Sequence, residues 1–252
     1  MLGKLLKYEL KASGRVLLPL FGAFIVVSIA AYYTWFSVPG TMYRDSQVGH
    51  VAEMVMTMLY GAFFCGTCAL SMIISVTRFR KNILGSEGYL MNTIPVSPIA
   101  NVIAKLIVAT LYQLAGWFVA ILSFSICARR VRLDDLIYAI KSIGDLSSET
   151  RVSVLVFWFA CFLGLVLFNV AVYTSLAIGH SFNGAKLIKS IGIFLILWIV
   201  GSTVMGIVLS HLFTENTSWQ LEYVYLIMFE VAYSLIGLVL TNYFLKNRLN
   251  LE

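Results

Sequence analysis

Charge is scarce in this 252-residue chain: Asp, Glu, Lys and Arg together make up 12% of it, whereas an ordinary soluble domain carries about 25%. That shortage excludes a soluble fold, whose surface is solvated by such residues. Residues that carry chemistry are sparse as well. Four cysteines occur, and Cys65-Gly-Thr-Cys68 has redox-motif spacing. It falls in the middle of an apolar stretch, however, without the α/β surroundings that give a thiolate a function. Cys127, Cys161, His50, His180 and His211 lie in separate segments, so neither a metal-ligand cluster nor a nucleophilic dyad is supported. No G-x-x-x-x-G-K-[ST] phosphate loop is present, and hydrolysis of ATP on this chain is excluded. The chain is expected to be no enzyme and to bind no cofactor directly.

Apolar length is what the chain has in quantity. Apolar and aromatic residues form 60% of it, and six runs are long enough for membrane helices: 16–38, 54–77, 99–126, 152–178, 187–210 and 223–245. A helix needs about 20 apolar residues to cross the hydrocarbon core, where its backbone must be satisfied internally. The expected fold is therefore an all-α integral membrane protein, a single transmembrane domain over 1–252. The longest piece outside the runs, the outer loop 127–151, has 25 residues. Independent domains need at least about 40–50, so no piece buries a core of its own. Any ATP-driven activity would need energy from a separate polypeptide. Ser28-Ile29-Ala30 has the small-x-small form of a signal-peptide cleavage site. The first run continues past it through Tyr32, Trp35 and Val38, which predicts an uncleaved helix.

Orientation follows from the cations. With the N-terminus inside, 12 of the 18 Lys and Arg residues lie on the cytoplasmic side and six outside, the asymmetry that the positive-inside rule requires. Both termini are then cytoplasmic. Arg129-Arg130-Val131-Arg132 runs against the rule, but Asp134, Asp135, Asp145 and Glu149 bring that loop to a net charge of +1. The overall charge of +6 comes mostly from residues that flank membrane segments and anchor helix ends. It identifies the lipid bilayer as partner, and no nucleic acid.

Residues 1–15 form a candidate amphipathic helix at the inner membrane surface. At 100° per residue, Lys4, Lys7, Lys11 and Arg15 fall in an arc of about 80°, with Leu2, Leu5, Leu6 and Leu10 opposite. Glu9 projects from the leucine face, where lipid offers a carboxylate nothing. Either that face packs partly on protein, with Glu9 meeting a cation or backbone donors, or the carboxylate reaches back to water. In the outer loop, Leu133, Leu136, Ile137, Ile140 and Ile143 recur at spacings of three and four, which predicts a short surface helix acting as a cap or a lid.

The last two runs hold the remaining polar signal. Ser202, Gly206 and Ser210 form a small-xxx-small ladder suited to close helix packing. In the sixth run, Tyr223, Glu230, Ser234, Gly237 and Thr241 share one face. Glu230 is the only acid well inside an apolar run, and such a group faces protein or water rather than lipid. Two readings stand: with Tyr223 and Ser234 it contacts substrate or a proton in a pathway, or it makes a structural hydrogen bond to a neighbouring helix.

Between the second and third runs, Arg78–Pro98 reads RFRKNILGSEGYLMNTIPVSP. Gly85 is placed to end the preceding helix, and Ser86 to cap a short new one through Glu87-Gly88-Tyr89-Leu90-Met91, stopped by Pro95. Ser97-Pro98 fits an N-cap and first position for the third membrane helix. Lys7-Tyr8-Glu9-Leu10-Lys11, Lys81-Asn82-Ile83-Leu84-Gly85-Ser86-Glu87-Gly88-Tyr89-Leu90-Met91 and Thr93-Ile94-Pro95-Val96-Ser97 resemble the permease subunits of ABC-2-type bacterial exporters. The resemblance covers the chain in length and six-helix layout, with specific motifs in these two stretches alone.

It implies a bacterial plasma-membrane assembly of two permease chains, identical or related, with two separate ATP-binding subunits that hold ATP and Mg. The segment Gly85–Met91 would be the coupling helix seated on the ATPase, with Glu87, Gly88 and Tyr89 transmitting its motion. The N-terminal helix, with Lys4, Lys7, Glu9 and Lys11, would be the connecting helix beside it. Cargo in that family includes antimicrobial and other peptides, lipids and drugs. Re-entrant helices common between the last two membrane helices of such exporters have only His211–Glu222 available here. The plain reading of Glu87 is a charge on a solvated loop. A self-contained secondary carrier or channel that uses Glu230 is the alternative function.

Overall fold

A computed structural model describes residues 2–33, 47–85, 97–127, 147–182, 184–212 and 219–247. Among them the regular structure is entirely helical. The six α-helices are α1 (Leu2–Tyr32), α2 (Gln47–Phe79), α3 (Pro98–Cys127), α4 (Ser148–Gly179), α5 (Lys186–Leu212) and α6 (Trp219–Asn247). Each is long and apolar enough to cross a membrane, so the chain is a multi-pass membrane protein. The expected coupling residues Ser86, Glu87, Gly88, Tyr89, Leu90 and Met91, and the expected surface helix over 133–143, lie outside the described residues.

Helix ends follow local chemistry. The Ser147 hydroxyl accepts from the Thr150 N–H at 3.2 Å and caps α4, with Glu149 in the first turn, where the helix dipole favours an acid. Pro98 is the first residue of α3, where a missing N–H costs nothing. Helix α2 continues past its apolar run into a π-helical turn, Arg80–Leu84, that stops at Gly85. Gly85 has φ −94° and ψ −167°, so the chain leaves in an extended conformation rather than the left-handed one a terminating glycine usually adopts. Its need for glycine comes from crowding: a Cβ there would lie 2.9 Å from the Lys81 carbonyl oxygen. Between α4 and α5, Gly184 (φ 70°) and Ala185 (φ 46°) reverse the chain.

Helix α1 differs from expectation. The surface helix 1–15 and the membrane helix beginning at residue 16 form one continuous rod, with Pro19 inside it. The cause is a single buried stripe, Glu9, Ser13, Leu17, Phe21, Phe24, Ser28 and Ala31, that keeps helical spacing across the expected junction. At 1.5 Å per residue, a helix of 31 residues spans about 46 Å, more than the ~30 Å hydrocarbon core.

Contacts divide the chain into two units, one of residues 1–7, 75–110 and 147–252, the other of 8–74 and 111–146. In the second unit, Phe24 packs against Tyr60 and Phe64 at centroid distances of 5.5 and 6.5 Å. The Tyr112 hydroxyl donates to the Leu10 carbonyl at 2.8 Å, directly over Gly14. In the first unit, Phe79, Ile83 and Leu84 are buried with Val102, Leu106, Tyr173 and Leu245 in the main apolar core. Helix α4 packs along both α5 and α6, which touch each other much less. Two glycines permit this closeness. A Cβ on Gly179 would stand 2.8 Å from the Ser190 backbone N, and one on Gly237 would stand 2.5 Å from Val170 Cγ1.

Candidate functional site

The polar face of α6 lies against α4. Tyr223 meets Phe157 edge to face at 6.2 Å, Glu230 Oε1 lies over Gly164, and Gly237 abuts Val170 and Thr174. Thr174 Oγ1 is 3.0 Å from both the Gly237 carbonyl oxygen and Thr241 Oγ1, and the Thr241 hydroxyl donates to that carbonyl at 2.8 Å. Hydroxyls that bond to backbone in this way satisfy themselves in an apolar setting. Ser234, on the same helix, is half-buried.

Because α5 and α6 diverge while both follow α4, a groove of about 420 Å³ opens among the three helices. Leu167 and Ala171 line it from α4, Trp198, Gly201, Met205 and Gly206 from α5, and Phe229, Glu230 and Tyr233 from α6. Its lining is almost wholly apolar. The Tyr233 hydroxyl donates to the Leu197 carbonyl at 2.7 Å, and its ring lies over Gly201, where a Cβ would stand 3.2 Å from it. The Ser202 hydroxyl, also on the groove, donates to the Ile199 carbonyl at 3.0 Å.

Glu230 is the one carboxylate in this lining. It is 9% exposed, and its Oε2 is buried without a hydrogen-bond partner. Leaving a buried polar atom unmatched costs about 1–3 kcal/mol, so the arrangement needs an explanation in function or in a ligand.

The ladder of α5 faces outward. Ser202, Gly206 and Ser210 are exposed, and a Cβ on Gly206 would meet no atom within 4 Å. Ser202 and Gly206 border the groove.

Lys4, Lys7, Glu9, Lys11 and Gly85 are not among the residues that line this groove. Glu9 is buried at 8% exposure, whereas Lys4, Lys7 and Lys11 are exposed. Gly85 is half-buried and directly follows the core residues Ile83 and Leu84. A second apolar groove, about 500 Å³, lies in the other unit between aromatic residues that include Tyr60, Phe64, Trp117 and Phe124. Cys68 borders it, and Cys65, Cys68 and Cys161 are free thiols. Among the described residues no group of three or more His, Cys, Asp or Glu could hold a metal.

His180, in the turn after α4, is buried, with Nδ1 2.9 Å from the Leu176 carbonyl oxygen. Burial pushes its pKa down; the bond to Leu176 opposes this, while Lys186 and Arg80 add to it.

Sequence reasoning found Glu230 and missed its surroundings. Gly164, Trp198, Gly201 and Tyr233 look like ordinary residues of apolar helices. The available signal was glycine within such helices, which marks close approach of a neighbouring group. Compared with protein families, curated proteins and solved structures, the chain matches none. Its function is therefore argued from its own residues.

Proposed function

We propose that this chain is the membrane-spanning permease subunit of an ATP-driven ABC-2-type exporter in a bacterial plasma membrane. Two such chains, identical or related, form the translocation pathway, and two separate ATP-binding subunits carry ATP and Mg. Both termini are cytoplasmic, and the cargo is a peptide, lipid or drug.

The observation that carries this reading is the attachment of the segment Lys81–Ser97, which resembles a coupling helix. Its entry is fixed in the apolar core of the protein: Phe79, Ile83 and Leu84 are buried against residues of α3, α4 and α6. A solvated loop has no need of such anchoring. On this reading, force applied at Glu87 or Tyr89 reaches α4 through the buried Phe79, Ile83 and Leu84, and α4 also borders the Glu230 groove. With no phosphate loop in the sequence, this reading needs a partner to hydrolyse ATP.

The test is affinity purification of the tagged full chain in mild detergent, followed by ATPase and transport measurements in liposomes. An ATP-hydrolysing subunit is expected to accompany it, and Glu87→Ala and Tyr89→Ala are expected to leave assembly intact while uncoupling hydrolysis from transport. One observation favours a second reading, a self-contained carrier: the unmatched Oε2 of Glu230 has the character of an intramembrane ion or proton site. Transport by the lone chain without ATP would establish that class instead.

A further inference from the structure

Glu230 makes a specific chemical demand. Its Oε2 is buried and unmatched, and it borders a groove that is otherwise apolar and aromatic. The chain has little with which to answer it. No Lys or Arg occurs from Val152 through Ala185, or from Ser190 through Leu245. The nearest cations in sequence are therefore at least 12 residues from Gly164, Gly201 or Glu230, roughly 18 Å along a helix. The hydroxyl donors on the groove are engaged, since Tyr233 bonds to Leu197 and Ser202 to Ile199.

The lining defines the missing group. An anion is excluded by the carboxylate, and a sugar by the scarcity of free polar atoms in the wall. A metal would need more ligands than one carboxylate. An ammonium suits all three features: its N–H bonds to the Glu230 carboxylate, aromatic residues such as Trp198 and Tyr233 favour a neighbouring cation, and an aliphatic body fills the apolar remainder. The volume of about 420 Å³ matches sites for molecules of drug size. Access is lateral, because the α5 residues Ile196, Ile199 and Val200 are exposed on a helix that crosses the bilayer.

We propose that the groove between α4, α5 and α6 is a binding site for lipophilic amines, with the ammonium on Glu230 and the chain along α5. The site belongs to this chain alone and goes beyond the exporter reading. It stands whether or not an ATP-binding partner drives the protein.

The test uses the full chain in phosphatidylcholine nanodiscs and a dodecylamine carrying a diazirine near its nitrogen. After photolysis, peptide mapping is expected to place the adduct in 164–171, 197–206 or 229–233. Labelling should be displaced by dodecylamine and not by dodecanol. It should fall about 10- to 100-fold in Glu230→Gln, the range for a hydrogen bond between charged groups. Gly206→Leu supplies an independent arm, because it fills the groove from a position with open space around it and leaves Glu230 in place; it should lower labelling at least as much. Displacement by added phosphatidylethanolamine would identify the amine as a lipid headgroup, and its absence a free amine, each consistent with the site. Equal labelling of the parent and Glu230→Gln, equal displacement by dodecanol, or adducts elsewhere would overturn the proposal. Because binding rather than transport is read, failure here would leave the exporter reading intact, and an exporter without an ATPase partner would leave this site intact.

Discussion

Phe79 lies flat on Tyr173, with ring centroids 4.2 Å apart and planes 9° from parallel, and the Tyr173 hydroxyl is 2.8 Å from Ser75 Oγ. Two side chains of α2 thus hold one residue of α4, and Thr174, the next residue, joins α4 to Thr241. The end of α2 and the α4–α6 seam meet at this point. Tyr173→Phe keeps the stack and loses the hydroxyl contact, so it should cost about 0.5–1.5 kcal/mol. Tyr173→Ala empties a fully buried position and should cost about 3–5 kcal/mol. Thermal unfolding of the chain in detergent distinguishes these values; equal losses would show that the stack contributes little.

Glycine positions in α6 and α1 should respond in opposite directions. A Cβ at Gly237 would run into the Val170 side chain and crowd Thr174 Oγ1, and since Val170 is buried at 2% exposure it has little room to give way. Gly237→Ala is expected to destabilise by about 1–3 kcal/mol, the usual cost of overpacking. At Gly22 a Cβ meets nothing, so Gly22→Ala should gain up to ~1 kcal/mol from helix propensity. The comparison is made by melting both variants beside the parent. A similar loss at both sites would argue against close α4–α6 packing.

The contrast between these glycines explains how far the sequence could be read. Six helices were legible because apolar run length reports a membrane span directly, and the Ser97-Pro98 start of α3 was legible because capping is local. The fused α1 was not: Lys4, Lys7, Lys11 and Arg15 suggested a surface helix, while the stripe from Glu9 to Ala31 that joins the two parts is defined by what packs on it. The same holds for the site. Glu230 is conspicuous as a lone acid in an apolar run. That Gly164 lies beneath it, and that Tyr233 reaches over Gly201 to Leu197, depends on the rotation of three helices about their axes, which period alone leaves undetermined in helices that are apolar all round.

Acid should weaken the fold through His180. Burial lowers its pKa in the folded chain below the ordinary 6.5, so the unfolded chain binds its proton first as pH falls. The stabilisation linked to its neutral form is complete above pH 6.5 and is lost progressively below it, towards the lower folded pKa. His180→Gln should flatten the change in melting temperature between pH 7.5 and 5, since an amide does not titrate there. A variant with the same pH slope as the parent would remove His180 from the acid response.

Glu230 carries the clearest conflict between stability and use. A carboxyl oxygen buried without a partner costs the fold about 1–3 kcal/mol, and an apolar side chain of similar size relieves that cost. Glu230→Met should therefore raise the melting temperature of the ligand-free chain, whereas most substitutions at buried positions lower it. Stability retained at the expense of an unmatched acid is characteristic of a site kept for binding or transport. Had Glu230 been a structural hydrogen-bonding residue, its replacement by Met would destabilise the α4–α6 pair. Melting curves of the parent and Glu230→Met, recorded in amine-free detergent, decide between these roles by the sign of the shift alone.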